Sequence, residues 1–479
     1  MRYYIGIDLG TSSCKGILTD REGNIIREHS ASYEVIYQRE GWTEQNPSDW
    51  LDAMREILEV LKNGYENEIY GISFGGQMHG LVALDENDNV IRPCILWNDG
   101  RTKKETAYLN EIIGKEKLSA YTGNIAFAGF TAPKILWLRE NEPENFSKIA
   151  KIMLPKDYLT YKLTGVFSTD YSDASGTLLL DVENKCWSEE MCEICGVKRE
   201  WLPTLYESYG VTGKVLDEYS LPNAIVTTGA GDNAAAAIGT GCVEDGDCNI
   251  SLGTSGTLFI CQDKFTKDDK NSLHYFAHAN GKWHSMGCIL SAASCRKWWL
   301  ESILDTNNYA DDEENIASAS DSELIFLPYL SGERSPHNDV NIRGAFIGLS
   351  HSTTRAQMSR AVMEGVAFAI KDCLEIAKSC GACVRSATVC GGGAKSEIWL
   401  EIMASALNIP LSTLKTEQGP AFGAAILAMV GAGEYNTADE AARKIVSVSK
   451  TIYPDPKSVA LLEEKYKKFT ALYPAIRCI

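Results

Sequence analysis

The chain has 479 residues, enough for two or three domains rather than one ordinary core. Hydrophobic residues make up 44% and charged residues 23%, the range of soluble globular proteins, and a net charge of −18 argues against a surface that binds a nucleic-acid backbone. No apolar run approaches the ~18 residues of a membrane span, and the N-terminus enters a strand with no charged-then-apolar leader, so a cytoplasmic protein is expected.

In chain order, Tyr3 to Ile7 reads as a strand that enters the turn Asp8-Leu9-Gly10-Thr11-Ser12-Ser13. A second strand (Lys15 to Thr19), a turn (Asp20 to Asn24) and a third strand from Ile25 follow. A helix is predicted to begin at Pro47-Ser48-Asp49 with Ser48 as N-cap, carrying Trp50, Leu51, Met54, Ile57, Leu58 and Leu61 on one face and Gly64 beyond its end. Ile69 to Phe74 is a short strand ending in Gly75-Gly76. This meander followed by alternating helices and strands indicates an α/β fold.

The second half repeats the grammar. Asn249-Ile250 leads into Ser251-Leu252-Gly253-Thr254-Ser255-Gly256, a near copy of the first turn, and Thr257 to Cys261 leads out. Arg355 to Ser379 is a long helix, Ala387 to Cys390 a buried strand, and Gly391-Gly392-Gly393 opens a helix at about Ser396. Gln418-Gly419-Pro420-Ala421-Phe422-Gly423 reads as another tight entry to a helix. Two duplicated α/β domains facing each other across a cleft are expected, divided into residues 1–244 and 245–479. The acidic stretches Asp263 to Asn271 and Asp305 to Glu323 read as solvated loops. The 15 cysteines are scattered rather than spaced as a framework. The pairs Cys192/Cys195 and Cys380/Cys383 could form a zinc site only if they met in space, and helical or turn spacing accounts for them.

A Gly-Thr-Ser turn offers backbone N–H groups and hydroxyls with no bulky side chain to hold an anion away. Two such turns, one per half, suit a polyphosphate gripped from both sides, and the triple glycine after Cys390 suits the nucleoside end. Neither a P-loop nor a strand-linked dinucleotide fingerprint is present. Asp8 beside polyphosphate would be repelled unless a cation intervened, which calls for Mg²⁺, direct or through water; the alternative is a carboxylate capping its own turn. Asp232 and Asn233 fall at or near a helix start. An N-cap and a general base that takes a substrate hydroxyl proton remain equally open for Asp232. Trp97 offers an apolar face to a sugar, and His79, Asn98 and Asp99 offer hydrogen bonds to hydroxyls. Arg334 stands in a polar turn that carries no local signal of a role.

These residues stand within an ordered series of segments. It comprises Ile5 to Ser12, Gln77-Met78-His79-Gly80, Ile95 to Arg101, Gly129 to Lys134, Leu154 to Leu159, Gly231 to Ala235, Ser251 to Gly256, Tyr329 to Arg334 and Gly391 to Ser396. The series resembles the FGGY carbohydrate kinases, of the actin/hexokinase/Hsp70 ATPase superfamily, from the first strand to about Gly433. Within that family it is most similar to the members that phosphorylate D-xylulose. The resemblance implies two actin-like (ribonuclease H-like) ATPase domains, ATP and Mg²⁺ as cofactors, and a homodimer. It implies that Asp232 is the catalytic base and that Asp8 lies near Mg²⁺ and the phosphates. Met78 and His79 would bind the sugar with Trp97, Asn98, Asp99 and Asn233. Thr11, Ser12, Gly253 and Thr254 would contact phosphates, and Gly392, Gly393 and Ser396 the adenosine. Two departures from the family pattern, Ser335 and Thr257, touch no assigned role. Two rival readings remain. One is a kinase for ribulose, glycerol or another polyol; the other is an actin- or chaperone-like ATPase, which would need a water-positioning group and a polymer or peptide surface.

Overall fold

The computed structural model describes residues 1–416 and 419–477; Gln418, expected at a helix entry, lies outside the described residues. Two seven-stranded sheets organise the chain. The first comprises β1 (Tyr3–Leu9), β2 (Ser13–Asp20), β3 (Ile25–Ser32), β4 (Ile69–Gly76), β5 (Val211–Lys214), β6 (Ile225–Thr227) and β7 (Ala230–Gly231). Its order is β5-β6-β4-β1-β2-β3, with β7 also paired to β4. The second comprises β8 (Cys248–Leu252), β9 (Gly256–Gln262), β10 (His274–Ala277), β11 (Trp283–Ile289), β12 (Ala387–Cys390), β13 (Leu411–Leu414) and β14 (Val448–Ile452), in the order β10-β11-β9-β8-β12-β13-β14. In each sheet an antiparallel meander leads to a first strand whose other side pairs in parallel, β1 with β4 and β8 with β12. The duplicated grammar of the sequence is therefore a duplicated topology.

Helix α1 (Pro47–Lys62) buries Trp50, Met54, Ile57, Leu58 and Leu61 against the first sheet. Its cap is Asn46 rather than Ser48, because Pro47, with φ fixed and no N–H to satisfy, takes the first helical position. Helices α2 (Tyr171–Ser175) and α3 (Asp232–Gly239) belong to the first half, and α4 (Tyr309–Ser318) and α5 (Arg355–Ser379) to the second. Helix α5 has the bounds read from the sequence, and Thr354 closes a capping box with Gln357 at its start. Helix α4 corrects the expectation of a solvated loop over Asp305 to Glu323. Asn308 caps it, Ile316 is buried in the second core, and Asp312 accepts a hydrogen bond from Ser359 Oγ at 2.6 Å.

Helices α6 (Glu397–Leu407) and α7 (Gly419–Gly431) complete the second half, yet α7 packs on the first sheet. It lies between β1 and α3 in one core with Tyr4, Ala234, Ala235 and Ile238. The approach is close enough to demand glycine on both sides. A Cβ on Gly6 would lie 1.9 Å from Ala421 O, and one on Gly423 would lie 1.7 Å from Ala235 O. Gly423→Ala should therefore prise α7 from α3 at a cost of about 1–3 kcal/mol. A lowered thermal midpoint with reduced turnover is expected, and a variant with unchanged midpoint and turnover would contradict this packing.

Candidate active site

Strand register assembles the site. Asp8 on β1 lies beside Gly75 on β4, and Gly75 lies beside Ala230 on β7. All three strands run parallel, so Asp8, the segment after Gly76 and Asp232 emerge at one edge, where open α/β sheets bind ligands. The cap of α3 is Gly231, so the N-cap reading of Asp232 is not realised. Its Oδ1 accepts from the Asn233 N–H at 2.7 Å and from Asn233 Nδ2 at 2.9 Å. Burial lifts the Asp232 carboxyl to about 6, against those two bonds, which lower it. Asp8 is lifted to about 7 by burial and then by the charge of Asp232, with Lys15 opposing. Two neighbouring carboxyls that both resist ionisation mark a spot short of positive charge.

The first Gly-Thr-Ser turn is tied down from inside. Thr11 Oγ1 donates to Gln77 Oε1 (3.2 Å), Gln77 Nε2 to Gln45 Oε1 (3.0 Å), and Gln45 Nε2 back to the Thr11 carbonyl (2.6 Å). Trp97 Nε1 also donates to Thr11 Oγ1 at 3.0 Å, so the indole of the expected sugar wall is fixed by the phosphate turn. The Trp97 ring and Ser12 are both exposed to solvent.

Met78 and His79 follow β4 after Gln77. Gly231 and Gly176 pack so closely on them that added Cβ atoms would lie 3.0 Å from Met78 Cγ and 2.4 Å from His79 Nδ1. His79 has φ of 70°, a left-handed conformation that a non-glycine residue keeps only when its surroundings hold it. Here they do. Its carbonyl accepts from Thr131 Oγ1 (3.1 Å) and Lys134 Nζ (2.8 Å), its Nδ1 pairs with the Gly176 carbonyl (2.7 Å), and Phe130 stacks on its ring at 4.6 Å. Burial, then the Lys134 charge, depress the imidazole to about 3, so it is neutral. Burial likewise lowers Lys134 to about 7.

A second buried group stands behind Asp232. Lys156 Nζ lies 2.6 Å from Asp157, 2.9 Å from Asp170 and 3.6 Å from Asp173. Burial opposes its charge, and the three carboxylates outweigh it and raise its pKa. Asp170 Oδ2 accepts from Ser172 Oγ at 2.5 Å, and that hydroxyl accepts the Gly231 N–H at 3.1 Å. The network thus pins the backbone from which Asp232 projects.

The second turn has its own anchors. Ser251 lies beside Cys390 in the β8–β12 register, and the Gly253 and Thr254 carbonyls accept from Ala293 and Ala292 N–H at 2.8 and 2.9 Å. A Cβ on Gly391 would lie 2.9 Å from Leu252 C, whereas one on Gly392 would meet nothing within 4 Å. Gly393 is buried, and Ser396 caps α6 by accepting from the Trp399 N–H. Between the halves a cavity of about 380 Å³ is lined by Asp232, Asn233, Ser251, Phe259 and Gly391.

Some expected residues are otherwise engaged. Asp99 is buried, with Arg101 bonded to both its oxygens (2.9 and 2.8 Å) and the Thr43 N–H at 2.6 Å. It shapes the Trp97 turn and has no oxygen left for a sugar. Asn98 is exposed and its Oδ1 accepts from Thr43 Oγ1 at 2.7 Å. Cys192 and Cys195 belong to a hydrophobic core, and among the described residues no cluster of three or more metal-ligating side chains exists. Sequence reasoning missed the bracing roles of Thr131, Lys134, Lys156, Asp170 and Ser172. The signal that could have found the lysines is a charge set within an apolar run, as in Ala132-Pro133-Lys134-Ile135-Leu136.

Residues 3–239 match the N-terminal domain of the FGGY family of carbohydrate kinases and residues 248–432 its C-terminal domain. The chain is 40% identical to a xylulose kinase of Lactococcus lactis subsp. lactis (strain IL1403), covering 99% of this chain and 97% of that protein. A crystal structure described as a xyloylose kinase from Brucella ovis superposes with a TM-score of 0.95 at 40% identity, covering all of both chains. A gluconate kinase structure from Lactobacillus acidophilus gives 0.94 at 28% identity, covering 99% of this chain and 98% of that one. The paired sheets are accordingly two actin-like ATPase halves, and the chain belongs to the FGGY family of carbohydrate kinases.

Proposed function

We propose that this chain transfers the γ-phosphoryl group of ATP to D-xylulose, releasing ADP and D-xylulose 5-phosphate. The observation that carries the reading is Asp232, a carboxyl lifted to about 6 at the wall of the interdomain cavity, between Gly231 and Asn233, which both touch Met78. Full-length relatives described as xylulose kinases support the choice of sugar. Among the described residues no helix is long and apolar enough to cross a membrane, and we place the enzyme in the cytoplasm with its substrate ATP. We place the domain division between residues 244 and 245.

Asp232 orients the attacking hydroxyl and takes its proton as the oxygen reaches phosphorus. An unperturbed Asp, near ~3.9, is a poor base; burial brings Asp232 closer to working pH. The N–H groups of the two Gly-Thr-Ser turns, with the Ser12 and Thr254 hydroxyls, would hold the phosphates in line, while the Thr11 hydroxyl serves Gln77 and Trp97. Closure of the halves would exclude water as a rival acceptor. Asp8 fits a Mg²⁺ site: one hard oxygen donor at a charge-deficient spot suits an ion that keeps its waters and takes few protein ligands. Bound there, Mg²⁺ would neutralise charge on the phosphates.

Sugar-dependent ADP release across D-xylulose, D-ribulose, L-ribulose, glycerol and gluconate should give the highest kcat/KM for D-xylulose; ATP hydrolysis indifferent to every sugar would contradict the kinase reading. Asp232→Asn should lower kcat by about 10³-fold or more with ATP binding retained, and near-normal turnover would remove Asp232 as base. Because the base must be ionised, kcat/KM should fall about tenfold per pH unit below about 6; a profile flat to pH 5 would exclude that role. Gly392→Val points into open space, so it should leave thermal stability intact and raise the KM for ATP. Unchanged KM for ATP would place the nucleotide elsewhere.

A further inference from the structure

Arg334, in the turn from Ser331 to His337, has no task in the proposed phosphoryl transfer, and its surroundings suggest one. Its backbone is fixed. The N–H donates to Glu333 Oε1 at 2.8 Å, the carbonyl accepts the Asn338 N–H at 2.5 Å, and the next N–H, of Ser335, donates to the Cys288 carbonyl at 2.9 Å. The guanidinium lies over the Phe127 ring, 5.6 Å from its centroid. Phe127 is 5.3 Å from Phe130, which stacks on His79. The turn from the second half thus carries a cation to the far end of the wall that starts at Asp232 and runs through Met78 and His79.

Among the described residues no carboxylate pairs with this guanidinium at ion-pair distance. The adjacent Glu333 does not supply one. Its Oε1 is committed to the Leu290 and Arg334 N–H groups, and burial lifts its carboxyl to about 8, which favours the neutral form. The guanidinium does meet the Cys288 side chain in a hydrogen bond, a neutral partner because burial raises that thiol. The same wall holds an unmet polar group. His274, edge-on to Phe127 at 4.8 Å, has a buried Nδ1 with no hydrogen-bond partner. Burial and then the charge of Arg334 hold this imidazole neutral. A half-buried guanidinium with no carboxylate partner, flanked by neutral imidazoles and aromatic faces, is a receptor for oxygen acceptors rather than a structural ion pair.

We propose that Arg334 is a substrate-binding and specificity-determining residue. Its fork would donate to the C1 hydroxyl and C2 carbonyl oxygens of the ketose, at the end opposite the hydroxyl held by Asp232. Resting on the ketose-kinase reading, this assigns the second half of the chain a share in sugar recognition. An α-hydroxyketone presents two adjacent acceptors to a planar fork, a match that a reduced polyol loses in part because its C2 oxygen is no longer trigonal. A sugar acid would place a carboxylate on the same fork.

The test measures kcat, KM for sugar and KM for ATP for the wild type, Arg334→Gln and Arg334→Lys, with D-xylulose, D-arabitol (one of its two C2-reduced forms) and gluconate as acceptors. Thermal midpoints are recorded in parallel. For Arg334→Gln the KM for D-xylulose should rise about 10- to 100-fold, the loss expected of charge-assisted hydrogen bonds. The KM for ATP and the thermal midpoint should hold, and the preference for D-xylulose over D-arabitol should shrink. Arg334→Lys, which keeps the charge and loses the fork, should fall between, and it decides the matter if Arg334→Gln does not fold. A KM for D-xylulose within twofold of wild type in a folded variant overturns the proposal. So does a loss confined to gluconate, which would make Arg334 a carboxylate site. Failure of the wild type to phosphorylate any ketose would refute the ketose-kinase reading instead, while the variant-to-wild-type ratio on ketose judges Arg334 alone.

Discussion

Everything at the site follows from the parallel pairing of β1, β4 and β7. Pairing Asp8 with Gly75 and Gly75 with Ala230 delivers two acidic side chains from distant sequence positions to one sheet edge. The strand between them ends in Gly75-Gly76, so no side chain of that strand separates the two carboxyls. A Cβ on Gly75 would lie 2.9 Å from Pro420 Cβ and one on Gly76 2.8 Å from Lys156 Cβ. The same glycines therefore admit α7 to one face of the sheet and the buried lysine cluster to the other. Burial is the larger cost to ionising either carboxyl, and the charge of Asp232 adds to the cost at Asp8. That electrostatic tension is what a cation or a proton-yielding hydroxyl relieves.

Recognition elements are arranged so that each is braced by a neighbour with a different task. Thr11 carries the phosphate turn and also fixes Trp97. Lys134 and Thr131 hold the His79 carbonyl in a conformation that the backbone alone would not keep. Ser172 transmits the Lys156–Asp170 pair to the peptide that precedes Asp232. Helix α7, belonging by sequence to the second half, is lodged between β1 and α3 of the first. Motion of the second half would therefore be felt directly at the helix that starts with Asp232.

Much of this was legible in the sequence because it rests on local chemistry. The duplicated Gly-Thr-Ser turn, the bounds of α5 and the strand Ala387 to Cys390 each have a short-range signal: glycine at tight turns, periodic apolar residues, a capping threonine. What was not legible depends on contacts far apart in the chain. Asp99 reads as a free carboxylate until Arg101 and the Thr43 N–H are folded onto it. Asp305 to Glu323 reads as a loop because its acidic residues dominate, and only the packing of Ile316 and the Ser359–Asp312 bond make part of it a buried helix. Ser48 lost the cap to Asn46 through the special geometry of Pro47. Lys134 and Lys156 could be noticed as charges among apolar residues, but their partners are set by tertiary structure alone.

If the two halves hold ATP and sugar as proposed, Asp232 meets the acceptor hydroxyl while both Gly-Thr-Ser turns meet the phosphates. A crystal structure with D-xylulose and a non-hydrolysable ATP analogue is the sharpest test. The C5 oxygen should lie within about 2.6–3.2 Å of an Asp232 carboxylate oxygen, and the terminal phosphate between Thr11 and Thr254. A sugar bound away from Asp232, or a nucleotide held by one turn only, would contradict that arrangement.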